Sequence, residues 1–208
     1  MPINPETFVL RSTVTSPFGR KVRMAIDVLA LNDRVTLVPA DTLDENDTLR
    51  QQNPLGKMPC LLTADGSAIY DSGVIIEFLQ DVAGSDRLIP MRGPARFKAL
   101  TLARLADGIA EAAILMVYEG RFRDPGTHSQ RWLKHQDGKI VRALNAFEAA
   151  PPDPAASDIV AIGLACALGY LDWRKPVEWR PTHPRLAAWL STFAGNEPAF
   201  ERTAAPVS

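Results

Sequence analysis

The residues Ser16-Pro17-Phe18-Gly19-Arg20-Lys21-Val22-Arg23 follow a short β-prone run, Phe8-Val9-Leu10. They open a segment with apolar residues at Val22, Ala25, Ile26 and Leu29, the spacing of one helix face. Ser16 therefore stands where a helix begins. Pro17 suits the first helical position, where a missing N–H costs nothing. A helix N-terminus offers free N–H groups and a partial positive charge. A thiol held there ionises more easily, and the Ser16 hydroxyl can donate a hydrogen bond to its sulfur. Ser before Pro is equally an ordinary helix cap. A second stretch, Asn53-Pro54-Leu55-Gly56-Lys57-Met58-Pro59-Cys60-Leu61, runs from turn chemistry into a strand. A cis Met58–Pro59 bond would turn the Met58 backbone outward, to pair strand-like with an extended peptide ligand. The plain alternative is a loop with a trans bond. Lys57 would hold a ligand carboxylate or simply face solvent. Thirdly, Asp71 and Ser72 precede a helix. The Ser72 hydroxyl and the local N–H groups suit a carboxylate, and Asp71 can accept from an ammonium group. Capping is the plain reading for this pair.

These residues need a frame. Val35 to Val38 reads as a second strand, Asp44 to Gln52 as a short irregular helix, and Cys60 to Leu62 as a third strand. Asp65-Gly66 is the turn of a hairpin returning through Ala68-Ile69-Tyr70. Ser72 is expected to cap a helix ending near Val82. The order βαβαββα predicts a small mixed sheet with helices on its faces. The expected class is thus α/β plus all-α, with a first domain over 1–83, a linker over 84–94 and an all-helical domain over 95–208. In the second domain, helices are expected along Leu102 to Met116, over His128 to Ala149, over the nearly all-apolar Ser157 to Leu171, and after His183-Pro184.

Composition narrows the functional classes. The 208 residues are 46% hydrophobic and 23% charged, enough for a sizeable core. A formal net charge of -1 and the lack of a basic run argue against nucleic acid or an anionic membrane as partner. The stretch Ile159 to Leu171 is too short to span a bilayer. MPINPETF lacks the features of a signal peptide, so a cytoplasmic location is expected. Two cysteines, Cys60 and Cys166, make neither a disulfide framework nor a metal cluster, and read as core. His128, His135 and His183 are scattered and flank helices, so surface or capping roles are expected, and no metal.

Taken together and in order, the three stretches resemble the glutathione transferase superfamily, over essentially the whole chain. Ser16 to Arg23 resembles its catalytic turn. Asn53 to Leu61 resembles its NP-x-GKVP-x-L segment, with Met58 in place of Val. Asp65 to Leu79 resembles its DG-x-x-L-x-ES-x-x-I-x-x-YL signature, and His183 to Trp189 its last helix. Ala165 to Leu171 and Phe200 to Thr203 are similar to the bacterial YibF-like subgroup. The resemblance implies a thioredoxin-like first domain and glutathione as co-substrate. It implies that Ser16 bonds the glutathione sulfur, and that Met58 pairs through its backbone with the cysteinyl part. Asp71 and Ser72 would hold the γ-glutamyl end, with Lys57 nearby. It also implies a homodimer, with Asp107 a candidate to approach the partner subunit's γ-glutamyl amine. A small apolar electrophile would lie between the domains against Phe18 and Tyr118, with Phe122 and Trp173 as further lining, in the manner of detoxifying conjugation. A non-catalytic binding or regulatory protein is the first alternative, and a glutathione-dependent peroxidase or reductase the second. Two departures stand out. The central helix keeps Asp158 of a Ser/Thr-x-x-Asp capping box, but Ala155 occupies the Ser/Thr place. The first strand offers no Tyr as sulfur partner. Ser12, Thr13 and Thr15 add competing hydroxyls, but Ser16 alone precedes the helix-opening Pro.

Overall fold

A computed structural model of the chain describes residues 7–206. These form two compact units. One runs up to Ile89 and takes in the residues from Arg202 onward; the other spans Pro90 to Glu201.

In the first unit, β1 (Phe8–Ser12) leads into α1 (Pro17–Val28), a 3-10 turn (Asn32–Arg34) and β2 (Val35–Pro39). A single helical turn, α2 (Leu49–Gln52), precedes β3 (Cys60–Leu62), β4 (Ala68–Ile69) and α3 (Ser72–Val82). The sheet order is β2-β1-β3-β4. β1 pairs parallel with β2 and antiparallel with β3, and β4 is antiparallel to β3. α1 packs on α3, and α3 on β3. Phe8 and Leu10 of β1 are buried together with Val22, Ile26, Ile75 and Leu79 of the two helices, as their spacing predicts.

Asp71, and not Ser72, caps α3: its carboxylate accepts from the N–H groups of Gly73 at 2.8 Å and Val74 at 3.4 Å. Ser72 is the first helical residue and is buried. An Asx side chain competes better for those donors than a hydroxyl one residue later, which already sits inside the helix. The expected helix over Asp44 to Gln52 is only the one turn, because Asp44 and Asp47 bond nearby backbone N–H groups and hold a looped chain. Beyond α3, Gln80 accepts from the Leu88 and Ile89 N–H groups and donates to the Ile89 carbonyl. One buried amide thereby folds the segment after α3 back onto it.

The second unit is helical: α4 (Gly93–Phe122), α5 (Gln130–Ala149), α6 (Ile159–Arg174), α7 (Pro184–Asn196) and α8 (Pro198–Arg202), the last ending at the junction. α4 packs on both α5 and α6, and α7 on α5 and α6. α6 is buried from Ile159 to Leu168, the central position that its apolar sequence predicts. It starts two residues later than expected. Asp158 itself is the cap, accepting from Val160 and Ala161 at 2.9 Å each, so Ala155 leaves no cap missing. Cys166 is buried in this helix. Of the surface and capping roles expected for the histidines, His183 takes the cap position of α7, without a side-chain cap bond. It is 3% exposed, with ring nitrogens 3.0 Å from the Trp179 carbonyl and 3.1 Å from Asn145 Oδ1. Among the described residues, no helix is long and apolar enough to cross a membrane.

Candidate functional site

Strand direction gathers the first unit's predicted residues. Arg11 near the end of β1 pairs with Cys60 at the start of β3, and Leu61 pairs with Ile69 at the end of β4. The β1–α1 turn, the entry to β3 and the exit from β4 therefore lie at one end of the sheet. Ser16, Met58 and Asp71 occupy those three connections, although up to 55 residues of sequence separate them.

Ser16 caps α1. Its Oγ accepts from the Gly19 N–H at 3.1 Å, which leaves its own hydrogen to be donated elsewhere. The side chain is half-buried. No acidic residue stands in the first turn of α1, and the buried Arg20 and Lys21 follow it. Field and donor both favour an anion beside Ser16. The competing hydroxyls are disposed otherwise. Ser12 is fully buried behind Gly19, and Thr13 and Thr15 bond each other at 2.9 Å.

The Met58–Pro59 bond is cis, and so is Tyr70–Asp71. Asn53, itself buried, shapes the loop before Met58: it accepts from the Leu55 N–H at 3.1 Å and donates to the Lys57 carbonyl at 2.8 Å. Gly56 makes the turn with φ +58°, a conformation that favours glycine. Met58 is half-buried against Ala40, Leu49 and Cys60, and Lys57 is exposed. Burial pushes the Cys60 thiol upward, partly offset by Arg11, so this cysteine stays protonated and structural.

Sequence reasoning missed Arg11. It is 7% exposed and donates to Thr48 Oγ1 and Gln52 Oε1 at 2.8 Å, to the Pro39 carbonyl at 3.2 Å and to Asp47 Oδ1 at 2.7 Å. Asp47 also accepts from the Asp41 and Leu49 N–H groups at 2.7 Å each. Those N–H bonds, with Arg11, hold its carboxyl below the usual carboxylate range. This knot fixes the loop between β2 and α2 at the same end of the sheet. An arginine within a buried strand was the available signal, since such a charge requires a partner.

Of the predicted acceptor-pocket residues, Phe18 belongs to α1 in the first unit, half-buried with Lys21 Nζ 5.8 Å from its ring centroid. Tyr118, Phe122 and Trp173 belong to the helical unit. Tyr118 meets Phe122 edge-on at 5.2 Å, and Trp173 meets Tyr170 at 6.1 Å. Asp107 on α4 is 3.1 Å from Arg104. A cavity of about 470 Å³ in the first unit, lined by Leu10, Ile26, Asp27, Leu37 and Arg202 among others, contains none of the predicted site residues. Among the described residues, no three His, Cys, Asp or Glu side chains are grouped to hold a metal.

Comparison with known proteins gives one consistent answer. Residues 15–82 match the family model of the glutathione S-transferase N-terminal domain. The uncharacterised GST-like protein YibF of Escherichia coli (strain K12) is 30% identical, over 95% of this chain and 98% of that one. A glutathione transferase family member from Pseudomonas fluorescens Pf-5, solved with bound glutathione, is 42% identical with a TM-score of 0.89, over 97% of this chain and all of that one. A second structure from that organism, at 41% identity and a TM-score of 0.85 over 96% of this chain, carries S-(propanoic acid)-glutathione. With its thioredoxin-like sheet, its helical second unit and a relative matched almost end to end, this chain belongs to the glutathione transferase family.

Proposed function

We propose that the protein is a serine-type glutathione transferase, which binds glutathione at the sheet end carrying Ser16, Met58 and Asp71 and activates its thiol for attack on a small electrophile. The observation that carries this is the Ser16 geometry. Its oxygen is engaged by the Gly19 N–H at a helix N-terminus, and its own hydrogen can be donated to an external acceptor. A thiolate is such an acceptor, and stabilising it lowers the thiol pKa and raises the nucleophile's population at neutral pH. The Met58 backbone would pair with the cysteinyl unit. Asp71, Ser72 and Lys57 would take the γ-glutamyl and carboxylate groups. Glutathione bound to the Pseudomonas relative supports this assignment. Serine rather than cysteine at the helix start favours conjugation over mixed-disulfide chemistry, and the S-substituted glutathione in the second Pseudomonas structure supports the same preference. We place the protein in the cytoplasm, as a homodimer, with no metal.

Calorimetric titration with reduced glutathione tests the reading, in the parent and in two variants that keep each cap. Asp71→Asn retains the acceptor for Gly73 but loses the charge, and should weaken binding about tenfold or more. Ser16→Asp retains a capping oxygen but offers no donor at neutral pH. It should keep the fold and lose the ultraviolet thiolate absorbance of the bound complex. No saturable binding at millimolar glutathione would replace this reading with that of a non-catalytic binding protein.

A further inference from the structure

Val35 and Leu37 of β2 pair in parallel with Phe8 and Leu10 of β1. Paired residues share a face of the sheet, so Val35 and Leu37 stand on the same face as the buried Leu10. β2 is the edge strand, and that face is left partly uncovered there: Leu37 is 38% exposed, against 1% for Leu10 and 5% for Ile26 of α1. The cavity of about 470 Å³ lies in this gap, with Leu10, Ile26, Val35 and Leu37 as its apolar wall. Arg23, Asp27, Asn32, Arg202 and Thr203 make its polar rim. All of these residues belong to the first unit, because Arg202 and Thr203 are part of its returning segment.

The rim is joined by direct bonds. Arg202 donates to Asp27 Oδ2 from Nε at 3.0 Å and from Nη2 at 2.6 Å. Asn32 Nδ2 donates to Asp27 Oδ1 at 3.2 Å, and Thr203 Oγ1 accepts from Arg20 Nε at 3.4 Å. Both Asp27 oxygens are thus engaged, whereas the Nη1 hydrogens of Arg202 have no partner among the described residues. Two guanidinium groups against one carboxylate leave the lining with one positive charge in excess. Asp33 and Glu201, the acids beside it in sequence, do not line it. The apolar wall is aliphatic throughout and offers no ring to stack on. The volume falls in the range of small-ligand sites, roughly 300–1,000 Å³.

We propose that this cavity binds a small aliphatic carboxylate, with its chain along Leu10, Ile26, Val35 and Leu37. Its head accepts from Arg202 Nη1, in the field of Arg23. The site is separate from the proposed glutathione residues, since Ser16, Met58 and Asp71 do not line it. Bound there, the acid bridges α1, β2 and the returning segment.

The test titrates octanoate and octanamide into the isotope-labelled full chain and follows the amide resonances of Ile26, Val35 and Leu37. Octanoate should shift them saturably and bind about tenfold tighter than octanamide. Arg202→Gln should abolish that preference while octanamide affinity stays within about twofold, which also shows that the cavity is intact. Leu37→Gln, at an exposed edge position, should weaken both ligands together by about threefold or more. Saturating glutathione should leave octanoate affinity unchanged. Absence of saturable shifts at these residues with millimolar octanoate overturns the proposal. So does equal binding of acid and amide, an unchanged preference in Arg202→Gln, or a parallel loss of both ligands in that variant. Displacement of octanoate by glutathione overturns it as well, because the acid would then occupy the transferase site.

Discussion

At the scale of the residue, one missing atom sets the position of the candidate nucleophile's partner. A Cβ built on Gly19 would fall 1.9 Å from Ser12 Oγ, and both residues are buried. The absent side chain lets the first turn of α1 close over the end of β1, and that closure aims Ser16 and its cap. Gly19→Ala should therefore cost about 1–3 kcal/mol, the range for overpacking a filled interior, and should lower glutathione affinity as Ser16 is displaced. Thermal melting and calorimetry would show both effects. The origin of the strain is testable by coupling: Ser12→Gly removes the colliding hydroxymethyl group, so Gly19→Ala/Ser12→Gly should recover part of the loss. Strict additivity of the two changes would show that the collision is not the cause.

Among the elements, the loop between β2 and α2 has little apolar area of its own and is ordered by the Arg11–Asp47 knot. The side chains are 9% and 11% exposed, so removing one partner strands the other's charge in a nearly dry place. Asp47→Ala should destabilise the fold by about 3 kcal/mol, well above the value of an exposed ion pair. The depressed Asp47 carboxyl makes this stabilisation pH-dependent. Its contribution to stability is complete above the unfolded carboxylate value of about 4, and fades as pH falls through the lower folded value. Urea unfolding at about pH 7 and about pH 3 should show the acid loss in the parent and a smaller one in Asp47→Ala. A loss of the same size in both would assign the acid sensitivity to other carboxylates. This element also marks where the sequence was legible. Strands β1 to β4 and the long helices could be read from apolar spacing, because burial imposes that spacing. The Arg11 knot and the Gln80 clasp could not, because a polar side chain's partner is chosen by the folded chain rather than by its neighbours in sequence. Ser16, Met58 and Asp71 fell between, since each occupies a connection whose position only the strand directions reveal.

For the whole molecule, the decisive feature is that the chain enters the first unit twice. At the end of α8, Arg202 reaches Asp27 at 2.6 Å, and Thr203, 7% exposed, accepts from Arg20 Nε at 3.4 Å. No local sequence signal announced this return, because helix periodicity places the last helix without saying which unit receives the residues beyond its end. The two contacts differ in expected weight. The Arg202 side chain is 58% exposed, so water and salt screen its pair, and Arg202→Ala should cost less than about 1 kcal/mol. Thr203 is buried, so losing the whole segment removes the Arg20 bond as well as the ion pair. Deletion of residues 202–206 should therefore cost several times more than Arg202→Ala. The deficit should be local: amide exchange should accelerate along α1, which carries Ser16, while the core amides of α6 keep their protection. Glutathione affinity should fall in the deletion and hold in Arg202→Ala. If the point substitution reproduced the full effect of the deletion, the exposed ion pair would be the tie. If exchange rose equally in α6, the returning segment would support the molecule as one cooperative body rather than the glutathione-binding unit alone.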